Sequence, residues 1–131
     1  MDSLRIDKGD TTPLLEFNIE TMVFSIEGEC RPENVLTYFE PILRWLDDYV
    51  DWLNIKKSTR VLNFNFKLEY YNSSSAKFIF NIFKRLKRIQ RNGTEINMFW
   101  FYDILDEDLL ECGQEYEKVS GLKFHFLAIQ D

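Results

Sequence analysis

The chain has little of the chemistry on which enzymes most often depend. Among its 131 residues are one histidine, two cysteines, five glycines and three prolines. His125 alone cannot form a His-based metal cluster. Cys30 and Cys112 have no zinc-motif spacing and, without a secretory signal, are expected to be free thiols in a reducing cytoplasm. Neither of the glycine-rich phosphate-binding motifs of nucleotide enzymes occurs.

Long apolar runs and excess positive charge are also missing. No apolar run reaches the roughly 20 residues that a helix needs to cross a bilayer. The net charge of -6 argues against nucleic acid as the general partner. A hydrophobic share of 45 % with 12 phenylalanines nevertheless predicts a globular domain with a real core. We therefore expect a small cytoplasmic domain that needs no cofactor or metal and binds neither nucleic acid nor membrane.

Hydrophobic periodicity predicts the element order β-β-α-β-α-β-α-β. Residues 1–13 are polar, contain turn signals and are expected to form a loose leader. Strands over 15–19 and 22–26 follow as an antiparallel hairpin, which ends at Gly28. Because every predicted strand has two different faces, we expect a two-layer α/β sandwich, a mixed sheet with helices mainly on one face.

The later elements follow the same rules. A long helix is expected to begin with Pro32 in its first turn and to run to about Leu53, followed by a loop over 54–59. The remaining elements are a strand over 61–70, a helix over 76–91, a strand over 95–102, a helix over about 106–118 and a strand over 122–129. The other face of the sheet, with Asn65, Phe99 and His125 among its residues, is expected to be open, and it could hold a second copy.

Two helix surfaces allow two interpretations each. The apolar arc of the long helix is wider than one sheet requires, and Trp45 and Trp52 lie together at its edge. They either pack within the fold or form a partner-binding patch. The next helix carries six basic residues, which are either ordinary solvated surface or a docking face for an acidic partner.

Four small polar residues, Asn72, Ser73, Ser74 and Ser75, lie where the central strand gives way to a helix. A helix start has unpaired N–H groups and partial positive charge, and it prefers Asn or Ser as its cap. A cap explains one or two of these residues. Three consecutive hydroxyls also suit a site for an added phosphate. Local chemistry leaves both interpretations open.

Catalytic interpretations have less support. Asp103 ends the next parallel strand and should lie on the same edge of the sheet as Ser73. A receiver-type phospho-aspartate domain is excluded, because Gly28 and Gln130-Asp131 do not supply its acidic pair and lysine. A serine nucleophile would need a base and an oxyanion hole, for which no signature is present. A small hydrolase or phosphotransfer enzyme that uses Asp103 and Glu33 remains an alternative.

These residues carry a resemblance to known families. The segment 72–75 resembles the Asp-Ser-Ser segment of STAS domains, the anti-sigma-factor antagonists. More closely, and over most of its length, the chain resembles the SiaC family of regulatory phosphoproteins. The matching residues are Thr12-Pro13, Gly28, Pro32-Glu33-Asn34, Phe39, Pro41, Trp45-Leu46, Tyr71 to Ser75, Lys77, Trp100 and Tyr102-Asp103.

The SiaC resemblance implies one STAS-like domain over 1–131 in a bacterial, non-enzymatic partner-switching protein. It implies that a dedicated kinase phosphorylates Ser73, where the family often has threonine, and that a PP2C-type phosphatase reverses the modification. The unphosphorylated form would bind an effector such as a diguanylate cyclase, in c-di-GMP signalling that controls biofilms. A STAS-type anti-sigma-factor antagonist is the alternative. The residues expected to contact partners are Asn72, Ser74, Ser75, Lys77, Pro32, Glu33, Asn34, Asp103 and Trp45.

Overall fold

A six-stranded mixed sheet, with its strands in sequence order, is the framework of the computed structural model, which describes residues 1–57 and 60–130. The strands are β1 (Leu4–Ile6), β2 (Leu14–Asn18), β3 (Val23–Cys30), β4 (Val61–Tyr71), β5 (Glu95–Asp103) and β6 (Phe124–Ile129). The helices are α1 (Val35–Lys56), α2 (Ser73–Arg91) and α3 (Glu107–Ser120). The strands β1, β2 and β3 pair antiparallel, and β3 to β6 pair parallel.

The core lies between one face of the sheet and the helices. A row of paired, buried side chains crosses five strands: Phe17, Phe24, Phe64, Met98 and Phe124. Each helix packs an aromatic ring onto this face, with Tyr49 of α1 at 5.4 Å from Phe24, Phe83 of α2 at 5.5 Å from Phe66 and Tyr116 of α3 at 5.8 Å from Trp100 (ring centroids). The predicted two-layer sandwich is confirmed.

The polar leader contains a strand that its sequence pattern does not predict. Leu4–Ile6 pairs with β2, so residues 1–13 are not simply loose. Side-chain contacts hold this strand in place: Ile19 donates its backbone N–H to the Ser3 hydroxyl, and Trp45 donates its ring N–H to the Asp2 carbonyl at 3.0 Å. Three residues are too few for an alternation of apolar and polar side chains to be recognised. The observed element order therefore has one strand more than the predicted order.

The bounds of α1 differ from the predicted ones at both ends. Asn34 is the N-cap, and its side chain accepts the Thr37 N–H, so Pro32 precedes the helix instead of lying in its first turn. At the other end the helix continues to Lys56, and Lys57 adopts the left-handed conformation of a C-cap. The loop expected over 54–59 is therefore wrong for 54–56, and Ser58 and Thr59 lie outside the described residues.

A β-bulge shifts the register where β4 approaches α2. Gly28, with φ of +115°, does not end its strand, which continues to Cys30. The register skips Glu69, so Leu68 pairs with Gly28 and Tyr70 with Glu29. One extra residue reverses the alternation of inward and outward side chains. The alternation of Leu62, Phe64, Phe66 and Leu68 predicts that Tyr70 also faces inward, and this prediction is wrong. Tyr70 is 50 % exposed, and Tyr71 packs on the core instead.

The last strand lies at the outer edge of the sheet. It begins at Phe124 rather than at the predicted residue 122; Leu122 is buried just before the strand, and Ala128 near its end is exposed. The face opposite the helices is open, as predicted, and its rings contact one another: Phe99 stacks on His125 at 5.1 Å. A second copy on this face stays a prediction.

Candidate functional site

The start of α2 is fixed by its N-cap residue. Asn72 Oδ1 accepts hydrogen bonds from the Ser75 N–H at 3.1 Å and from the Ser75 hydroxyl at 2.6 Å. The Asn72 N–H donates to the Cys30 carbonyl at 3.1 Å, which ties this cap to the end of β3. The helix therefore begins at Ser73, three residues before the expected Ala76. Asn and Ser are preferred over Ala at a helix start, because their side chains can accept hydrogen bonds from the unpaired N–H groups of the first turn.

The three serines have different surroundings. Ser73 and Ser74 are exposed, whereas Ser75 has no exposed surface. Besides donating to Asn72, the Ser75 hydroxyl accepts a bond from Cys30 Sγ at 3.7 Å. The expectation that Ser75 contacts a partner is therefore wrong, because its side chain is used inside the cap. Of the three serines, Ser73 and Ser74 therefore have hydroxyl groups that are accessible from solvent.

The surroundings of Ser73 suit a negative charge. Ser73 is the first residue of α2, where the first N–H groups of a helix have no intrahelical partner. Lys77 follows one turn later and is exposed, so it lies on the same side of the helix as Ser73. A phosphate on the Ser73 hydroxyl would meet both the positive end of the helix dipole and this ammonium group.

Two half-buried phenols and a buried thiol lie beneath the cap. Tyr116 donates its hydroxyl hydrogen to the Ala76 carbonyl at 3.1 Å, which joins α3 to the first turn of α2. Burial raises the pKa of Tyr71, with a smaller contribution from its hydrogen bond to Cys112, and burial also raises the pKa of Tyr116. Burial likewise raises the pKa of Cys30. All three groups are therefore neutral at physiological pH and serve as supports rather than as bases or nucleophiles.

The edge of the sheet beside Ser73 is acidic and concave. A cleft of about 300 Å³ and another of about 320 Å³ share Glu69 and Leu109 and therefore adjoin one another. Their charged lining residues are Lys67, Glu69, Asp103, Asp106 and Asp108. Asp103 also accepts the Leu105 N–H at 2.8 Å, which shapes the turn into α3. We call this double cleft the acidic rim.

The residues before α1 lie on the same edge of the sheet. Glu33 and Asn34 are exposed and follow the carboxyl end of β3, as Ser73 follows that of β4. Pro32 is mostly buried but lines a depression of about 510 Å³ together with Glu33 and Asn34, so its contact with a partner stays a prediction. The strand β4 separates Glu33 from Asp103 by about two strand spacings, roughly 10 Å. The structure therefore does not assemble them into a carboxylate pair.

Trp45 lies in the middle of α1 and makes internal contacts. Its ring packs on Phe17 at 5.5 Å and on Phe24 at 5.6 Å, and it stacks on Tyr49 at 5.1 Å. These contacts favour the packing interpretation over a partner patch. A depression of about 410 Å³ beside it is lined by Met1, Asp2, Ser3, Asp48 and Trp52.

Three of the six basic residues of α2 make polar contacts within the fold. Arg85 and Arg88 both reach Asp47 Oδ1 of α1 at 3.1 Å, and Lys87 donates to the Gly121 carbonyl at 3.1 Å. This engagement favours the solvated-surface interpretation over an acidic docking partner. Within residues 1–57 and 60–130, no group of three His, Cys, Asp or Glu side chains is placed to hold a metal ion. In the same part of the chain, no helix is both long and apolar enough to cross a bilayer.

A mixed six-stranded sheet with three helices on one face defines a small two-layer α/β domain, and the capped start of α2 presents an exposed hydroxyl on it. The family model of SiaC family regulatory phosphoproteins matches residues 6–129. The chain therefore belongs to the SiaC family, and this membership confirms the predicted regulatory and non-enzymatic role.

Relatives come from Pseudomonas aeruginosa. The uncharacterized protein PA14_02130 of strain UCBPP-PA14 is 24% identical over 124 residues, which are 95% of this chain and 94% of that protein. The crystal structure of apo-SiaC superposes with a TM-score of 0.82 at 23% identity, covering 98% of this chain and 100% of that one. SiaC in complex with the diguanylate cyclase SiaD, which it activates, gives a TM-score of 0.83 at 24% identity, with coverage of 96% and 99%. The similarity to these structures confirms the fold.

Proposed function

We propose that this protein is a partner-switching regulator whose affinity for an effector is set by reversible phosphorylation of Ser73. The observation that carries the proposal is the α2 start, where an exposed serine follows a cap that Ser75 and Cys30 hold from inside. The family description as regulatory phosphoproteins supports the modification. A dedicated kinase and a PP2C-type phosphatase are the proposed modifying enzymes.

Electrostatics supplies the switch. A phosphate adds about -1.5 to -2 charges at neutral pH. The N–H groups of the first turn and Lys77 can receive it, so the fold tolerates the modification. A partner docked over the site must instead desolvate or accommodate a dianion beside the acidic rim, which is already negative. Phosphorylation therefore lowers the affinity for such a partner without requiring a large conformational change.

The proposed binding surface, on which phosphorylation acts, is the edge of the sheet formed by the carboxyl ends of β3, β4 and β5. We propose that the partners contact Glu33, Asn34, Asn72, Ser74, Lys77 and Asp103. A protein placed over Ser73 meets residues from all three strand ends, so one phosphate can control the whole interface.

The proposed effector is a diguanylate cyclase in the bacterial cytoplasm. The support is that SiaC of Pseudomonas aeruginosa is described as the activator of the cyclase SiaD and is found in complex with it. This chain shares the family and covers 99% of the SiaC chain in that complex. Binding of the unphosphorylated form to a cyclase is the activity expected of it.

The test compares the two accessible serines. Ser73→Ala should abolish labelling by the cognate kinase, whereas Ser74→Ala, the matched control, should still be labelled. Ser73→Asp should weaken binding to the cyclase, although one carboxylate carries less charge than phosphate. Undiminished labelling of Ser73→Ala would falsify the assignment, and labelling lost only in Ser74→Ala would move the switch by one residue.

A further inference from the structure

The two edges of the sheet differ in how they are protected. At one edge, β1 has three residues, and Arg5 is ion-paired with Asp7 and Glu16. At the other edge, β6 has the sequence FHFLAI, without lysine, proline or acidic residues. Natural proteins protect edge strands by keeping them short or charged, because their unpaired N–H and C=O groups attract other strands. By this criterion β1 is protected and β6 is open.

Hydrogen bonds identify the groups of β6 that face outward. The Ile129 carbonyl accepts the Ile104 N–H, so the backbone groups of residues 125, 127 and 129 face β5. Groups of alternate residues face opposite sides of a strand. The residues 124, 126 and 128 therefore face outward. The Glu117 carboxylate accepts the Phe124 N–H at 2.7 Å. The backbone N–H and C=O groups available to another strand are therefore those of Phe126 and Ala128.

The surroundings of this edge are acidic. The helix α3, which connects β5 to β6, carries Glu107, Asp108, Glu111, Glu115 and Glu117 against a single Lys118. Glu107, Leu110, Gln114 and Glu117 recur at helical spacing, so they share one side of α3. The bond from Phe124 to Glu117 shows that this side is the one beside β6.

We propose that the β6 edge binds an extended, positively charged segment of a partner protein, which adds a seventh strand to the sheet. Main-chain hydrogen bonds to Phe126 and Ala128 would supply the pairing, and the α3 carboxylates would select basic side chains. Leu127 at 39% exposure and Ile129 at 42% offer apolar contacts on the open face. This surface is formed by other elements than the Ser73 cap, so the inference goes beyond the proposed function.

A second copy of this chain fits the same edge less well. Antiparallel pairing of two β6 strands around a twofold axis keeps both helix layers on one side of the joined sheet. The two acidic α3 helices would then face each other across the interface, and like charges placed there oppose association. A basic segment meets the same carboxylates favourably.

The test uses a fluorescent ten-residue probe of alternating lysine and valine, measured by anisotropy against the whole protein. A glutamate–valine probe of the same length is the control, and we expect it to bind at least about tenfold more weakly. Ala128→Pro removes an outward N–H and leaves the β5 ladder intact, so it should weaken the lysine probe about tenfold. Ala128→Val keeps the N–H and should bind as the wild type does. Urea unfolding of both variants checks that they fold.

The charge is tested separately. Glu107→Gln, beside β6, should weaken the lysine probe by about threefold, whereas Glu115→Gln, with the same loss of charge on another side of α3, should not. No binding of the lysine probe, or equal binding by folded Ala128→Pro, would overturn the proposal. So would a concentration-dependent dimer that Ala128→Pro abolishes and the probe does not displace, because a second copy would then occupy the edge.

Discussion

At the scale of single residues, three serines with the same side chain have three different positions. Ser73 begins the helix with its hydroxyl exposed, Ser74 is exposed one residue later, and Ser75 is buried between Asn72 and Cys30. The proposed phosphorylation falls on the exposed hydroxyl of Ser73. The neighbouring Ser75 hydroxyl holds the structure that presents it.

This division of roles gives a stability prediction. Ser75→Ala removes a buried hydroxyl that bonds to Asn72 and accepts from Cys30, and it should lower the free energy of unfolding by about 1–2 kcal/mol. Ser74→Ala, the adjacent exposed position, should change it by less than about 0.5 kcal/mol. Urea unfolding followed by fluorescence measures both. Equal losses of unfolding free energy in the two variants would mean that the hydrogen bonds of Ser75 make no net contribution to stability.

At the scale of elements, α3 contains a glycine where helices ordinarily disfavour one. Gly113 lies in the middle of α3, and a Cβ atom there would come within 2.6 Å of the Trp100 ring nitrogen. The Trp100 N–H donates to the Leu109 carbonyl at 3.1 Å, so the ring is held in place and cannot easily give way. The glycine allows α3 to lie directly on the tryptophan.

Gly113→Ala is therefore expected to destabilise the protein by about 1–3 kcal/mol, because overpacking outweighs the gain in helix propensity. Propensity alone predicts the opposite sign, a gain of about 0.5–1 kcal/mol. Gln114→Ala, at the next and exposed position, is the control and should be near neutral. Thermal unfolding of the two variants decides between these two signs. A stabilised Gly113→Ala variant would show that α3 can move away from Trp100.

The sequence predicts those elements whose pattern is local. The strands β4 and β5 alternate cleanly, and α2 repeats its apolar positions at helical spacing, so their existence, type and order are predicted correctly. The bulge at Glu69 is not predicted, because it depends on pairing with Gly28 and Glu29, which are distant in sequence. For the same reason the inward position of Tyr71 is missed. The burial of Ser75 and Pro32 likewise depends on tertiary contacts that no local pattern records.

At the scale of the whole molecule, the leader and α1 cover one end of the core together. Trp45 is held under the leader by its bond to the Asp2 carbonyl, whereas Trp100 is 1% exposed beneath α3. The protection of the two tryptophans therefore has different origins. Trp100 is protected by packed helices, whereas Trp45 packs on core rings from one side and is covered by residues 1–3 from the other.

Trp52 lines the same depression as residues 1–3, so the test is made in a Trp52→Phe background. Deletion of residues 1–3 in this background should increase acrylamide quenching of tryptophan fluorescence, because it uncovers Trp45 while Trp100 stays buried. The same deletion in a protein that carries both Trp45→Phe and Trp52→Phe should change quenching much less, which serves as the control. An unchanged quenching constant after deletion in the Trp52→Phe background would show that the leader does not shield Trp45.

The sequence-ordered sheet also bears on how the chain folds. Each strand pairs only with strands adjacent in the sequence, so the sheet can form by adding one strand at a time, and each parallel pairing encloses a single helix. Pairing of sequence neighbours avoids the larger entropy cost of bringing together strands that are more distant in the sequence. A ribosome-bound chain could thus add each βα unit to a finished edge as it emerges, and every intermediate would expose one open strand until the next unit is synthesised.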